Sequence, residues 1–92
     1  METGIESGKT DAEFRQTLTM AHLRYHDGRE EIGLGNYAAA IWYFDSAMSH
    51  LDKIRGHMEK PIVSELYKKI SDRREYAKRE ESFARNRLSP RN

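Results

Sequence analysis

Three groups of residues in this chain have types and spacings that could carry chemistry. The first is Gly4-Ile5-Glu6-Ser7-Gly8-Lys9-Thr10, which has the composition of a phosphate-binding loop. That motif needs four residues between its glycines and a preceding strand to aim the loop at the phosphates. Here only three residues separate Gly4 from Gly8, and no strand-like run precedes them. Nucleotide binding is not expected at this point, and residues 1–9 read as a flexible tail. The second group is His22 and His26, one helical turn apart, a spacing that can clamp a metal. No third ligand or carboxylate-flanked signature accompanies them, so they read as surface or groove imidazoles. His50 and His57 have no evident partners. The third group is Asp45 and Asp52, seven residues apart and so on similar faces of one helix. Paired carboxylates can work as acid and base, but these are expected to pair with Arg or Lys from a later helix. The chain has no cysteine, which removes disulfides and thiolate metal sites. No catalytic residue, metal or cofactor is therefore expected.

Two other sets point to binding. Trp42 lies beside an apolar stripe, between Ile41 and Tyr43. Either it is a half-buried packing residue or it anchors a partner, because Trp is favoured at interface hot spots. Tyr43 shares that ambiguity, and Met48 and Leu66 would line the same protein-partner groove. The other set is basic: Arg55, Lys60, Lys68, Lys69, Arg73, Arg74, Lys78 and Arg79. At spacings of three to five residues, Lys69, Arg73 and Lys78 are expected to form a ridge that meets an acidic partner. The alternative is a solvated helix face. Glu75, Glu80 and Glu81 interrupt the ridge, and nucleic acid is not the expected ligand. The asymmetry behind the net charge of +1 is clear. Residues 1–67 carry 7 Lys/Arg and 11 Asp/Glu, a net of −4, and residues 68–92 carry 9 and 4, a net of +5.

The elements that position these residues follow from periodicity. At 92 residues the chain fits one domain. Charged residues make up 34% and apolar residues 37%, the balance of short amphipathic helices with one wet face each. No apolar run approaches the roughly 18–20 residues of a membrane span, so membrane insertion is not expected. The first ten residues lack the apolar centre of a signal peptide, and a cytoplasmic location is expected. A first helix should start near Thr10 or Asp11, with Glu13 completing a capping box. Phe14, Leu18, Ala21, Tyr25, Gly28 and Ile32 form its stripe, and Gly33 and Gly35 stop it. A second helix is expected from about Tyr37 to Arg55, capped by Asn36 and stopped by Gly56. Its stripe is Tyr37, Ala40, Ile41, Phe44, Ala47, Met48, Leu51 and Ile54. A third should start at Pro61, which is tolerated at a first helical position. Its stripe is Val63, Leu66, Ile70 and Ala77, with fraying or extension over 80–88 and a linker from Ser89. The fold class expected is all-α, an antiparallel three-helix bundle over residues 10–88.

The stretch Gly35-Asn36-Tyr37-Ala38-Ala39-Ala40-Ile41-Trp42-Tyr43-Phe44-Asp45-Ser46-Ala47 is the most specific in the chain. It resembles the second helix of a tetratricopeptide repeat and the first helix junction of microtubule-interacting-and-trafficking (MIT) domains. A single repeat of about 34 residues cannot bury its apolar face, no second copy is present, and a longer charged helix follows. That order is similar to an MIT domain. Within that family the chain looks most like the N-terminal domain of katanin catalytic subunits, which are microtubule-severing AAA ATPases. The resemblance covers about residues 15–88. It rests on Leu34-Gly35-Asn36-Tyr37, on Tyr43-Phe44-Asp45, on Lys60-Pro61-Ile62-Val63, on the Arg/Glu-rich third helix and on Ser89-Pro90-Arg91.

The resemblance implies a non-catalytic docking domain that binds tubulin in microtubules and the C-terminal domain of the regulatory katanin subunit. It implies a place on the cytoskeleton, at spindle or centrosome. ATP and Mg would belong to an AAA domain downstream. Two alternatives remain. One is an MIT domain of an endosomal-sorting (ESCRT-linked) ATPase that binds tail peptides; the other is a tetratricopeptide-like scaffold fragment.

Overall fold

The computed structural model describes residues 2–88, with side chains described over 11–86. Helix α1 spans Glu2–Gly33, α2 spans Tyr37–Asp52 and α3 spans Pro61–Leu88, with one 3-10 turn at Arg55–His57. The chain is an all-α three-helix bundle with no strand among the described residues.

Helix α1 begins at Glu2, not at the expected cap near Thr10. Residues 2–9 of the expected tail, and the loop-like Gly4–Thr10 segment, are helical backbone instead; Met1 lies outside the described residues. Once the turns from Asp11 onward exist, each added residue gains a hydrogen bond without a new nucleation cost, so the helix extends backward past weak formers. Its other end closes as expected. Gly35 takes φ +80, the left-handed conformation that glycine adopts without a Cβ clash. The Asn36 amide donates to the Glu31 carbonyl at 2.9 Å and the Gly35 amide to the Ile32 carbonyl at 3.0 Å. This paired pattern satisfies carbonyls that the helix end would leave bare.

Asn36 does not cap α2 with its side chain. Its Nδ2 instead donates to Glu31 Oε1 at 3.0 Å, tying the turn back to α1. Its backbone carbonyl accepts the Ala40 amide at 3.0 Å. At the far end, α2 stops at Asp52, three residues short of the expected Arg55. The chain tightens there, with Ile54 N donating to Leu51 O at 3.0 Å and His57 N to Ile54 O at 2.9 Å. The tighter winding turns Ile54 into the core, where it is buried. Pro61 opens α3 as expected, and the Lys60 carbonyl accepts both Val63 and Ser64 amides at 2.9 and 3.0 Å. Helix α3 continues unbroken to Leu88. The linker expected at Ser89–Asn92 lies outside the described residues.

The buried core is Leu18 and Ala21 from α1, Ala40, Phe44, Ala47 and Leu51 from α2, Ile54 from the turn, and Val63, Leu66, Ile70 and Ala77 from α3. All belong to the three expected stripes. Phe14, Tyr25, Ile32, Tyr37, Ile41 and Met48 pack around it half-buried. Helix α2 is central: it packs along both neighbours, while α1 and α3 meet at few points. The tightest place lies between α1 and α2. A Cβ added at Gly28 would sit 2.5, 2.7 and 2.9 Å from three ring carbons of Phe44, which is fully buried. Tyr25 lies against the same ring at 6.0 Å between centroids.

Gly28→Ala should therefore destabilise the bundle, although Ala is the better helix former by about 1 kcal/mol. Overpacking of this kind costs about 1–3 kcal/mol. Urea denaturation checks this: the single variant should unfold at lower urea, and Gly28→Ala combined with Phe44→Leu should recover part of the loss relative to Phe44→Leu alone.

Candidate functional site

The expected cations divide by what holds them. Arg55 pairs with Asp52 at 3.3 Å within the second connection. Lys68 pairs with Asp72 at 3.0 Å along α3. Arg74 pairs across the helices with Asp45 of α2, so Asp45 does meet a third-helix Arg, whereas Asp52, at the end of α2, meets Arg55 of the 3-10 turn that follows. These pairs are exposed on at least one side, and such bridges are worth about 0–1 kcal/mol. Their effect here is to spend the charge of Arg55, Lys68 and Arg74 internally. Lys60 stands over the Phe14 ring at 5.0 Å in a cation–π contact, and Phe14 also lines a cavity of about 480 Å³ with Glu13, Lys53 and His57.

The expected ridge of Lys69, Arg73 and Lys78 is not one surface. Lys69 and Arg73 line a cleft of about 360 Å³ between α1 and α3, with Tyr25, Arg29 and Asp72. Lys78 lines a separate depression with Glu75, Arg79 and Phe83. The reason is helical geometry. A step of four residues returns to nearly the same face, but the five-residue step from Arg73 to Lys78 turns about 140°. The cleft also brings in Arg29, which the sequence reading passed over. Its signal was present, since Arg29 stands four residues after Tyr25 and reaches over that ring at 5.7 Å.

The expected groove of Trp42, Tyr43, Met48 and Leu66 likewise separates. Leu66 is 3% exposed and belongs to the core, because its stripe with Val63 and Ile70 faces α2. It cannot touch a partner without unfolding. Met48 packs half-buried against the core. Trp42 is 62% exposed on the outer face of α2, with Tyr43 edge-on at 5.2 Å.

The histidines hold no metal-like arrangement. His26 faces Glu30 at 3.2 Å, His22 is exposed, and the His57 ring lies tilted against Phe14 at 4.5 Å between centroids. Among the described residues no group of three or more His, Asp or Glu could hold a metal ion, and no helix is long and apolar enough to cross a membrane. His50 is half-buried beside α1. Burial pushes its pKa below the ordinary 6.5, and the charges of Lys53 and Arg24 push it the same way.

Compared with models of protein families, with curated proteins and with solved structures, the chain finds no match.

Two outcomes follow. Leu66→Ala should cost about 2–5 kcal/mol of stability as a buried truncation, while Trp42→Ala should stay within about 1 kcal/mol, as fits a side chain largely exposed already. Chemical denaturation of both variants checks this. The lowered pKa of His50 means that the unfolded chain binds its proton first as pH falls. That contribution to stability is complete above about pH 6.5 and is lost as pH drops towards the folded value. His50→Gln should flatten the decline of unfolding free energy in that window.

Proposed function

We propose that this bundle is a non-catalytic docking domain of the MIT type, serving a katanin-like microtubule-severing ATPase. In this reading it holds the microtubule lattice and the C-terminal domain of a regulatory katanin subunit. ATP, Mg and the severing chemistry belong to a separate AAA domain. The supporting observation is the set of cations left over once the internal pairs are counted. Arg29, Lys69, Arg73 and Lys78, together with Arg15, Lys53, Lys60 and Arg79, form no ion pair among the described residues, on a bundle whose interior is filled by its own side chains. Unpaired cations on a small domain attract an acidic surface, which is the character of tubulin. The resemblance in the Leu34-Gly35-Asn36-Tyr37 turn and in the long basic third helix gives this attraction its direction.

The exposure of Trp42 beside Tyr43 favours a second reading. There, the same fold serves an endosomal-sorting ATPase, and α2 presents an aromatic anchor to a tail peptide.

Co-sedimentation with stabilised microtubules separates the readings. Binding should be present at low ionic strength and weaken as salt shortens the Debye length from roughly 30 Å at 0.01 M to 8 Å at 0.15 M. Replacing Lys69, Arg73 and Lys78 together by Glu should abolish it. Undiminished binding by that variant, or no binding at any salt, removes the microtubule reading.

A further inference from the structure

We propose that Ser82 is an acceptor for a phosphoryl group, placed there by an arginine-directed serine kinase and then held by Lys78 and Arg79. The inference stands apart from the docking reading above, because it concerns the outer face of α3 and needs no partner's identity.

Three observations carry it. First, Ser82 is exposed and lines a depression of about 360 Å³ with Glu75, Lys78, Arg79, Phe83 and Asn86. Its hydroxyl makes no hydrogen bond among the described residues, whereas the Ser64 hydroxyl donates to the Pro61 carbonyl at 3.4 Å. Second, Arg79 stands three residues before Ser82 and Lys78 four, and neither forms an ion pair among the described residues. Third, Ala77 is the last buried residue of α3 among those described, and none of residues 78–86 is buried.

Serine kinases that choose substrates by charge set acidic groups against a basic residue a few positions before the acceptor. Arg79 supplies that residue, and the exposed Phe83 supplies an apolar side chain directly after Ser82. A kinase takes its substrate as an extended segment. The turns past Ala77 can open for it without dismantling the core, the local opening that few buried contacts permit. Ser82 Oγ then attacks the γ-phosphorus of ATP. The new O–P bond forms as the bond to the β-phosphate oxygen breaks, ADP leaves, and the hydroxyl proton passes to the kinase's catalytic base. Ser71 shows what such a site requires. Lys68 precedes it by three residues, but Lys68 is tied to Asp72 at 3.0 Å. Ser71 is also half-buried, next to the fully buried Ile70.

The same cations then hold the product. A phosphoserine carries a charge of about −1.5 to −2 at pH 7. Residues three and four apart on a helix are neighbours, about 5–6 Å between Cβ atoms. Lys78 and Arg79 therefore flank the phosphate from the preceding turn, and Asn86 offers its amide from the following one. The guanidinium fork of Arg79 suits two phosphate oxygens at once. The nearby carboxylates do not compete. Glu81 is held by Arg85 at 2.8 Å, Glu75 stands two turns away, and Glu80, two residues before Ser82, belongs to another side of the helix. Helix α3 runs on to Leu88, so the phosphate lies outside the last turn, where the helix dipole opposes negative charge. Once phosphorylated, Ser82 takes both cations out of the unpaired set, whatever that set meets.

The experiment treats the whole chain with the catalytic subunit of an arginine-directed serine kinase and MgATP. Tandem mass spectrometry should place one phosphoryl group on Ser82 and none on Ser71. Arg79→Gln should slow the modification by about tenfold or more, and Ser82→Ala should abolish it. Phosphate found only on other serines, equal modification of Ser71, or a rate indifferent to Arg79→Gln would overturn the proposal. Amide exchange tests the holding contact. Phosphorylation should slow exchange over residues 80–86 by about threefold, and Lys78→Gln should remove much of that gain. Unchanged or faster exchange on phosphorylation would show that the phosphate is not held by its neighbours and would overturn that half of the proposal.

Discussion

The structure depends on the absence of one carbon atom. At Gly28 the backbone of α1 lies against the buried ring of Phe44 with no room for a side chain. That close approach lets two helices joined by a short turn share one seam. Ala21 and Ala40 keep it narrow on the inside, and Tyr25 lies against the same ring from α1. With α1 and α2 held this near, the remaining apolar stripe of α2 is free for Val63, Leu66 and Ile70 of α3. The glycine costs helix propensity, and the seam it permits returns dispersion and burial along a whole helix face.

The core of the bundle is apolar throughout, and among the described residues every charged side chain stands on its faces. The charges are sorted accordingly. Arg24, Arg55, Lys68, Arg74 and Arg85 fold back on carboxylates, whereas Arg29, Lys69, Arg73, Lys78 and Arg79 form no ion pair among the described residues. The ion pair of Arg74 with Asp45 helps to orient α3 on α2. It also engages within the bundle a residue that sequence alone would offer wholly to a partner.

The three stripes were legible in the sequence because burial imposes a 3.6-residue period that only the apolar residues share. Phe44, Leu51 and Ile70 could be placed inside from spacing alone, and Gly35 and Pro61 could be placed at boundaries from backbone sterics. Helix α1 extends back to Glu2 because propagation, once begun, does not wait for a capping residue. Asn36 was assigned to α2, but its side chain found a partner in Glu31. The candidate site was less legible than the fold. Leu66 carries the same apolar character whether it faces a partner or the core. Lys78 looks adjacent to Arg73 until the five-residue step is converted into an angle. Arg29 belongs to a different helix from the cations it joins: its spacing from Tyr25 signals the ring contact within α1 but not the meeting with α3.

Helix α3 is fastened along one side only, since it packs on α2 and hardly touches α1. A helix gripped along a single seam can swing away as a unit while the α1–α2 hairpin stays intact, the kind of sub-global opening that amide exchange reports in weakly attached elements. One lip of the α1–α3 cleft travels with α3. The spacing between the cleft's walls is thus an adjustable quantity, and mechanical tension applied beyond Leu88 would act directly upon it.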